Sequence, residues 1–137
     1  MNIEGIITLP SSYSVRETID RLVSGVTSKG LLVFARIDHA KNAREAGLEL
    51  PPMELLIFGH GKGGTPLMQA QPLSGLDLPL RALAWQEADG QVWLGYNSAA
   101  WIAKRHQIEA KSAAVAEALD KALAALTVAA TARELSA

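Results

Sequence analysis

The sequence predicts an α+β fold: a single compact domain with a mixed β-sheet of about five strands, helices packed mainly on one face, and a long C-terminal helix. Three observations support this class. Short apolar runs alternate with segments of helical spacing along most of the chain. Asp89-Gly90 separates two strand-like runs, which is a strong hairpin signal. An Ala-rich stretch with helical periodicity closes the chain. Because the order βαβαβαββαα combines crossovers with a hairpin, we expect both parallel and antiparallel neighbours.

The first half of the chain contains three predicted strands separated by two predicted helices. Ser14, followed by Glu17, has the spacing of a capping box, and Asp38 is placed to cap the second helix. Lys29-Gly30 ends the first of these helices and Gly47 ends the second. The predicted strands are 3–9, 31–37 and 53–58, and the helices begin at residue 15 and at residue 40.

The second half begins with a glycine-rich turn and ends in helices. Thr65 and Pro66 predict a helix start, with Thr as the N-cap and Pro as the first helical residue. The hairpin strands are predicted at 80–87 and 91–96, which places Trp85 nearly opposite Trp93. Asn97-Ser98 then caps a short helix. The C-terminal helix is predicted from Glu109 to Ala129, a length of roughly 30 Å.

The amino-acid composition limits the classes of function that the chain can have. The 137 residues are 49% hydrophobic and 20% charged, with a net charge of −1 and no cysteine. Without a concentrated basic face, nucleic-acid binding has no support. Without cysteine, disulfides and thiolate chemistry are excluded. No segment approaches the ~20 apolar residues of a membrane span, and the N-terminus does not resemble a secretory leader. We therefore expect a cytoplasmic protein with no membrane partner.

Several separated segments form one pattern: Ile37-Asp38-His39-Ala40 with Asn42-Ala43, Phe58-Gly59, Gly64-Thr65-Pro66-Leu67-Met68, Leu76-Asp77-Leu78-Pro79-Leu80-Arg81, Trp93 with Tyr96-Asn97, and Arg105-His106. Together these segments resemble the DUF302 family, small bacterial and archaeal domains of unknown function. The resemblance covers about residues 3–108. Family members more often have Asn-Pro where this chain has His60-Gly61. The resemblance implies a compact α+β domain that is often a homodimer, and it implies no established reaction.

The glycine turn is the first candidate binding site. Residues 59–64 formally satisfy GxGxxG, but they follow the third strand and lack the acidic residue that a dinucleotide fold places on a later strand. A Walker A loop is also absent, because Lys62 precedes Gly63. A weaker reading is that free amides at the Thr65 helix start, with Lys62 and His60, hold a phosphate or a carboxylate. The alternative is a surface turn whose glycines serve only backbone geometry.

The second candidate is Asp38-His39, at the end of the second strand. A carboxylate beside an imidazole can orient it for proton transfer, so an enzyme with His39 as base and Asp38 or Asp77 as partner is one hypothesis. The simpler interpretation makes Asp38 a helix cap and His39 an exposed residue. Arg81 is a candidate partner for Asp77. Asn97 is either a helix cap or a ligand hydrogen-bond donor.

Histidine spacing gives no metal signature, so no metal and no cofactor are predicted. His39, His60 and His106 lack helical i,i+4 spacing and any framing carboxylate motif. The interpretation with most support is a dimer that binds a small anionic or polar ligand. A structural or interaction module without a small-molecule site is a further alternative. The predicted ligand-binding residues are Asp38, His39, Gly59, His60, Lys62, Gly64, Thr65 and Asn97.

The chain divides into a predicted core and a terminal helix. Residues 1–108 form the DUF302-like α+β core, and residues 109–137 form the Ala-rich helix. Small residues permit close approach of another helix, so this helix is predicted to pack on the core or on a dimer partner.

Overall fold

The computed structural model describes residues 2–134. This part of the chain contains five strands and five α-helices, with a short 3₁₀ segment before the fourth strand. Strands and helices alternate up to that segment, after which two strands and then two helices follow. The strands are β1 (Ile6–Ser11), β2 (Leu32–Asp38), β3 (Met53–Gly59), β4 (Leu80–Gln86) and β5 (Val92–Asn97). The helices are α1 (Val15–Ser28), α2 (His39–Glu45), α3 (Gly61–Ala70), α4 (Ala99–Arg105) and α5 (Glu109–Thr131), and the 3₁₀ segment is Pro72–Asp77.

The sheet has the strand order β1-β5-β4-β3-β2, and all four neighbouring pairs are antiparallel. The α+β class with five strands is confirmed, but the expectation of a mixed sheet is corrected. Strands β1 and β2 do run parallel to each other, as the crossover through α1 predicted. They lie at opposite edges of the sheet, however, so their parallel direction creates no parallel pair.

The helices cover one face of the sheet, and the core lies between them. Alternation along β4 shows the division: Ala82 and Ala84 are 1% and 0% exposed, whereas Arg81 on the opposite face is exposed. Helix α5 packs against α1, and its Leu123 is fully buried. The terminal helix therefore packs on the core of its own chain. The largest fully buried apolar side chains are Ile19, Leu22, Leu56, Phe58, Leu67, Leu94, Ile102 and Leu123.

The predicted caps of α1 and α2 are confirmed. The Ser14 hydroxyl accepts a hydrogen bond from the Glu17 amide at 3.1 Å, and the Asp38 carboxylate accepts one from the Lys41 amide at 2.9 Å. Trp85 pairs with Trp93 across the Asp-Gly hairpin. Each of these features depends on contacts within a few residues or on the hairpin register, which the sequence pattern contains directly.

The second face of the sheet is not covered by any element of residues 2–134. We call it the open face. Because side chains alternate between faces, it carries the residues of each strand that the helices do not cover. They are predominantly apolar, in contrast to the polar outer face of many antiparallel sheets. The open face comprises Ile6, Thr8 and Pro10 of β1, Trp93, Gly95 and Asn97 of β5, Arg81, Leu83 and Trp85 of β4, Met53, Leu55 and Ile57 of β3, and Ala35 and Ile37 of β2.

Candidate functional site

The glycine turn at the end of β3 is already the beginning of a helix. Helix α3 starts at Gly61, with His60 as its N-cap, so the expected start at Thr65 and Pro66 is wrong. Pro66 lies inside the helix. The early start places Gly63 against α5, where a Cβ atom would lie 3.0 Å from the Leu119 side chain. This close approach of two helices explains a run of poor helix formers at a helix start.

Three amides at the start of α3, those of Lys62, Gly63 and Gly64, already have acceptors. The Nδ1 atom of the His60 ring accepts the Lys62 N–H at 3.1 Å. The His60 carbonyl accepts the N–H groups of Gly63 and Gly64, at 2.9 and 3.2 Å. The interpretation in which free amides of this turn hold an anion is therefore corrected. Thr65 is an exposed residue of the second turn rather than a cap.

Two clefts meet at this turn. The first has a volume of about 200 Å³ and a mostly apolar lining, which includes Phe34, Met68, Leu78 and Pro79. The second has a volume of about 470 Å³ and adds Lys29, Lys62 and Ala122. The two share part of their lining, so a single ligand can contact both. The shared residues are Gly59, His60, Gly63, Leu80 and Leu119.

The second cleft is basic. Among residues 2–134, neither Lys29 nor Lys62 forms a salt bridge, and no acidic side chain lines either cleft. Because Nδ1 of His60 accepts a hydrogen bond, the neutral ring carries its proton on Nε2, which is a donor. Two lysines and one histidine therefore line a cleft whose remaining lining is apolar. Such a lining suits an anionic group joined to an apolar one. Lys29 was not among the predicted site residues, because it stands in the turn after α1, far from the glycines in sequence.

Asp38 and His39 do not join this site. They lie at the opposite end of β2 from Leu32, which pairs with Gly59. Six residues of extended strand separate the two ends, a distance of about 20 Å. Asp38 caps α2, and within the described chain His39 has no hydrogen-bonded carboxylate. The acid–base arrangement suggested for His39 therefore has no geometric support.

Asp77 belongs to a third place in the fold. Its carboxylate accepts hydrogen bonds from Arg105 Nη1 at 2.7 and 2.8 Å and lies 2.6 Å from Nε2 of His106. The expected partner Arg81 is instead on the open face, and His39 is not near. This cluster ties the 3₁₀ segment to the end of α4, and none of its members lines a cleft described above. We interpret it as a structural tether.

The polar residues that remain also have structural partners. Arg36 on β2 donates to Glu54 at 2.7 Å and to Asp20 at 2.7 Å, which ties the edge strand to β3 and α1. Burial alone would lower the pKa of Arg36, but the hydrogen bonds to Glu54 and Asp20 outweigh burial and raise it. Asn97 ends β5 and faces a groove on the open face. The cap of α4 is Ser98.

Comparison with known proteins identifies a family and a fold. The family model described as Domain of unknown function DUF302 matches residues 7–126, and thus extends into α5. A solved structure, described as an uncharacterized conserved protein DUF302 from Bacillus stearothermophilus, superposes with a TM-score of 0.82 at 22% identity. It covers 93% of this chain and 99% of the other. That likeness shows the same fold.

Curated relatives are longer proteins. The Fluoride-specific ion channel FluC 1 of Brucella suis is 52% identical over 104 residues, which are 76% of this chain and 41% of that protein. The FluC 1 of Brucella abortus and the FluC 2 of Brucella melitensis match at the same identity over 38% of their length. This chain thus spans about two fifths of these relatives, whose name describes the longer proteins. Within residues 2–134, none of the helices has the length and apolarity needed to cross a bilayer.

Proposed function

This chain belongs to the DUF302 family, whose description names no reaction, and we propose that it is a homodimeric domain that binds a small anionic ligand with an apolar portion at the glycine turn. The observation that carries the proposal is the pair of joined clefts around Gly59 and His60, one apolar and one basic. The site combines predicted residues with others that sequence reasoning did not find. His60, Lys62 and the glycines were predicted. Lys29, Phe34 and Leu119 come from other elements.

The chemistry of the lining defines the ligand class. Lys29 and Lys62 supply positive charge without an acidic partner within residues 2–134, and the Nε2–H of His60 supplies a directional donor. The apolar cleft of about 200 Å³ is comparable to engineered cavities that hold a benzene-sized group. A small carboxylate or phosphate ester with one apolar substituent fits this combination.

Thermal shift and calorimetry test the ligand proposal. We expect phenyl phosphate to stabilise the protein more than inorganic phosphate, because only the former fills the apolar cleft. Lys62→Ala should weaken phenyl phosphate binding about tenfold, the loss of one charge-assisted interaction. Lys41→Ala is the matched control, since Lys41 is an exposed lysine on α2 at the other end of the sheet. No stabilisation at millimolar concentration, or equal weakening by both substitutions, would contradict the proposal.

The homodimer proposal rests on the β2 edge of the sheet. Leu32, Val33 and Phe34 are consecutive apolar residues with exposed fractions of 52%, 37% and 52%. Such an edge pairs readily with another strand. The β1 edge contains Pro10, which cannot donate to a ladder, so it is the less suitable edge. Pairing of two β2 strands around a two-fold axis would place a second copy beside Phe34 and the apolar cleft.

Sedimentation velocity tests the dimer. We expect the unmodified protein to sediment as a dimer and Phe34→Glu to sediment as a folded monomer. Leu48→Glu is the matched control, because Leu48 is 66% exposed and lies in the loop after α2. A monomeric unmodified protein, or a Phe34→Glu variant that remains dimeric, would refute the assignment of this edge.

The cytoplasmic location remains part of the proposal. It is supported by the absence of cysteine, which fits a reducing compartment.

A further inference from the structure

The open face of the sheet contains a groove of about 420 Å³. Its volume lies within the range typical of small-molecule sites, about 300–1,000 Å³. The groove crosses β1, β5, β4 and β3, so it is built on the most regular part of the fold. It is separate from the clefts at the glycine turn and shares no lining residue with them.

Arg81 is the one charged residue that lines this groove. The salt bridges within residues 2–134 leave it without an acidic partner, and it is exposed. The register brings Asn97 beside it, since each stands one residue beyond the pair Ala82–Tyr96 on neighbouring strands. Directly opposite residues have Cβ atoms about 5 Å apart. A guanidinium and an amide at this distance can bind the two oxygens of one carboxylate.

The rest of the groove is predominantly apolar. Its apolar lining includes Leu55, Leu83 and Trp85. Gly95 creates room for the Trp85 ring, because a Cβ atom at Gly95 would lie 3.1 Å from ring atom Cζ3. A larger residue there would displace the ring. The groove therefore joins one cationic end to an apolar channel.

We propose that the groove on the open face binds a small carboxylic acid with an apolar chain, with Arg81 and Asn97 holding the carboxylate and Leu55, Leu83 and Trp85 contacting the chain. Charge complementarity favours this occupant over a second copy of the protein. The open face carries no acidic residue, so face-to-face packing of two copies would bury both Arg81 guanidinium groups without a counter-charge. An acid neutralises Arg81 as it covers the apolar surface.

Octanoate and octanol are the test ligands, because they share an apolar chain and differ in charge. Binding is followed by NMR through the amides of Leu83 and Gly95 and the indole N–H of Trp85. We expect octanoate to shift these signals with an affinity at least about tenfold higher than octanol. Arg81→Gln should remove most of that difference and leave octanol binding unchanged.

Arg44→Gln is the matched control, since it removes the same charge from α2, outside the groove. It should leave octanoate binding unchanged. Equal affinities of octanoate and octanol, or an Arg81→Gln variant that binds octanoate as tightly as the unmodified protein, would overturn the proposal. So would octanoate shifts confined to the glycine turn, or groove signals that respond to protein concentration and not to octanoate. The glycine-turn site is tested with Lys62 and phenyl phosphate, so the failure of one site is distinguishable from the failure of the other.

Discussion

Replacing Gly5 with alanine tests how the N-terminal segment is held against the last third of the chain. Gly5 precedes β1 and has a φ of +83°, a conformation that favours glycine. Its carbonyl accepts the Ser98 N–H at 2.8 Å, at the start of α4. A Cβ atom built on Gly5 would overlap the indole ring of Trp101 in the same helix. Gly5→Ala therefore destabilises the protein in two ways: a residue with a Cβ atom is strained at this positive φ, and its Cβ atom overlaps the Trp101 ring.

Gly30→Ala measures the backbone strain without the steric overlap. Gly30 also has a positive φ, +74°, but a Cβ atom there would have no neighbour within 4 Å. Backbone strain alone should lower its free energy of unfolding by about 1–2 kcal/mol. Gly5→Ala should lose the same amount and a further ~1–3 kcal/mol, because the Trp101 ring or the backbone must move. The total expected for Gly5→Ala is thus about 2–5 kcal/mol.

Urea denaturation monitored by circular dichroism measures both variants under the same conditions. The decisive quantity is the difference between the two unfolding free energies. Equal destabilisation by Gly5→Ala and Gly30→Ala would refute the contact between Gly5 and Trp101. As a further check, Trp101→Leu should destabilise the Gly5→Ala protein less than it destabilises the unmodified protein, since the two positions are in contact.

Two other predictions concern Asp120 and Tyr96. The Asp120 carboxylate of α5 accepts the Ala99 N–H at 2.6 Å, so Asp120→Ala should lower the unfolding free energy by about 2–3 kcal/mol in urea titrations. Glu117→Ala is the control, because Glu117 belongs to an exposed ion pair, and it should lower the unfolding free energy by under ~0.5 kcal/mol. Equal losses in the two variants would contradict this role of Asp120. Burial first, and the charge of Asp120 second, raise the pKa of Tyr96 above its ordinary value of 10.0. The unfolded chain therefore loses this proton before the folded protein does, and stability falls as pH rises above 10.0. Tyr96→Phe should show a smaller alkaline loss of the urea midpoint, and an unchanged loss would exclude Tyr96 as its source.

The sequence was most informative where structure depends on neighbouring residues. The caps at Ser14 and Asp38 and the hairpin around Asp89-Gly90 were predicted correctly because their hydrogen bonds or turn geometry are local. The start of α3 was not, because glycine propensity argues against a helix and the compensating contact with Leu119 lies on α5. Helix propensity alone contains no information about that contact.

The candidate site was predictable only in part for the same reason. His60 and Lys62 stand together in sequence and in space, whereas Lys29 reaches the cleft from the turn after α1. The predicted ligand-binding residues included both Asp38 and the glycine turn, which follow β2 and β3. Antiparallel pairing of β2 with β3 places them at opposite ends of the sheet. Whether two loops meet depends on strand direction, and the sequence pattern left that direction open.

The pairing of β1 with β5 has a consequence for how the protein is made. Ile6 pairs with Asn97, so β1, which is synthesised first of the five strands described above, has its partner on β5, which is synthesised last of them. Contacts this distant in sequence slow folding, because a long loop must close before they form. Until β5 has been synthesised, β1 has no neighbouring strand to pair with, and α1 can pack only against β2, β3 and β4. The native sheet is therefore completed only after Asn97 at the end of β5 has emerged.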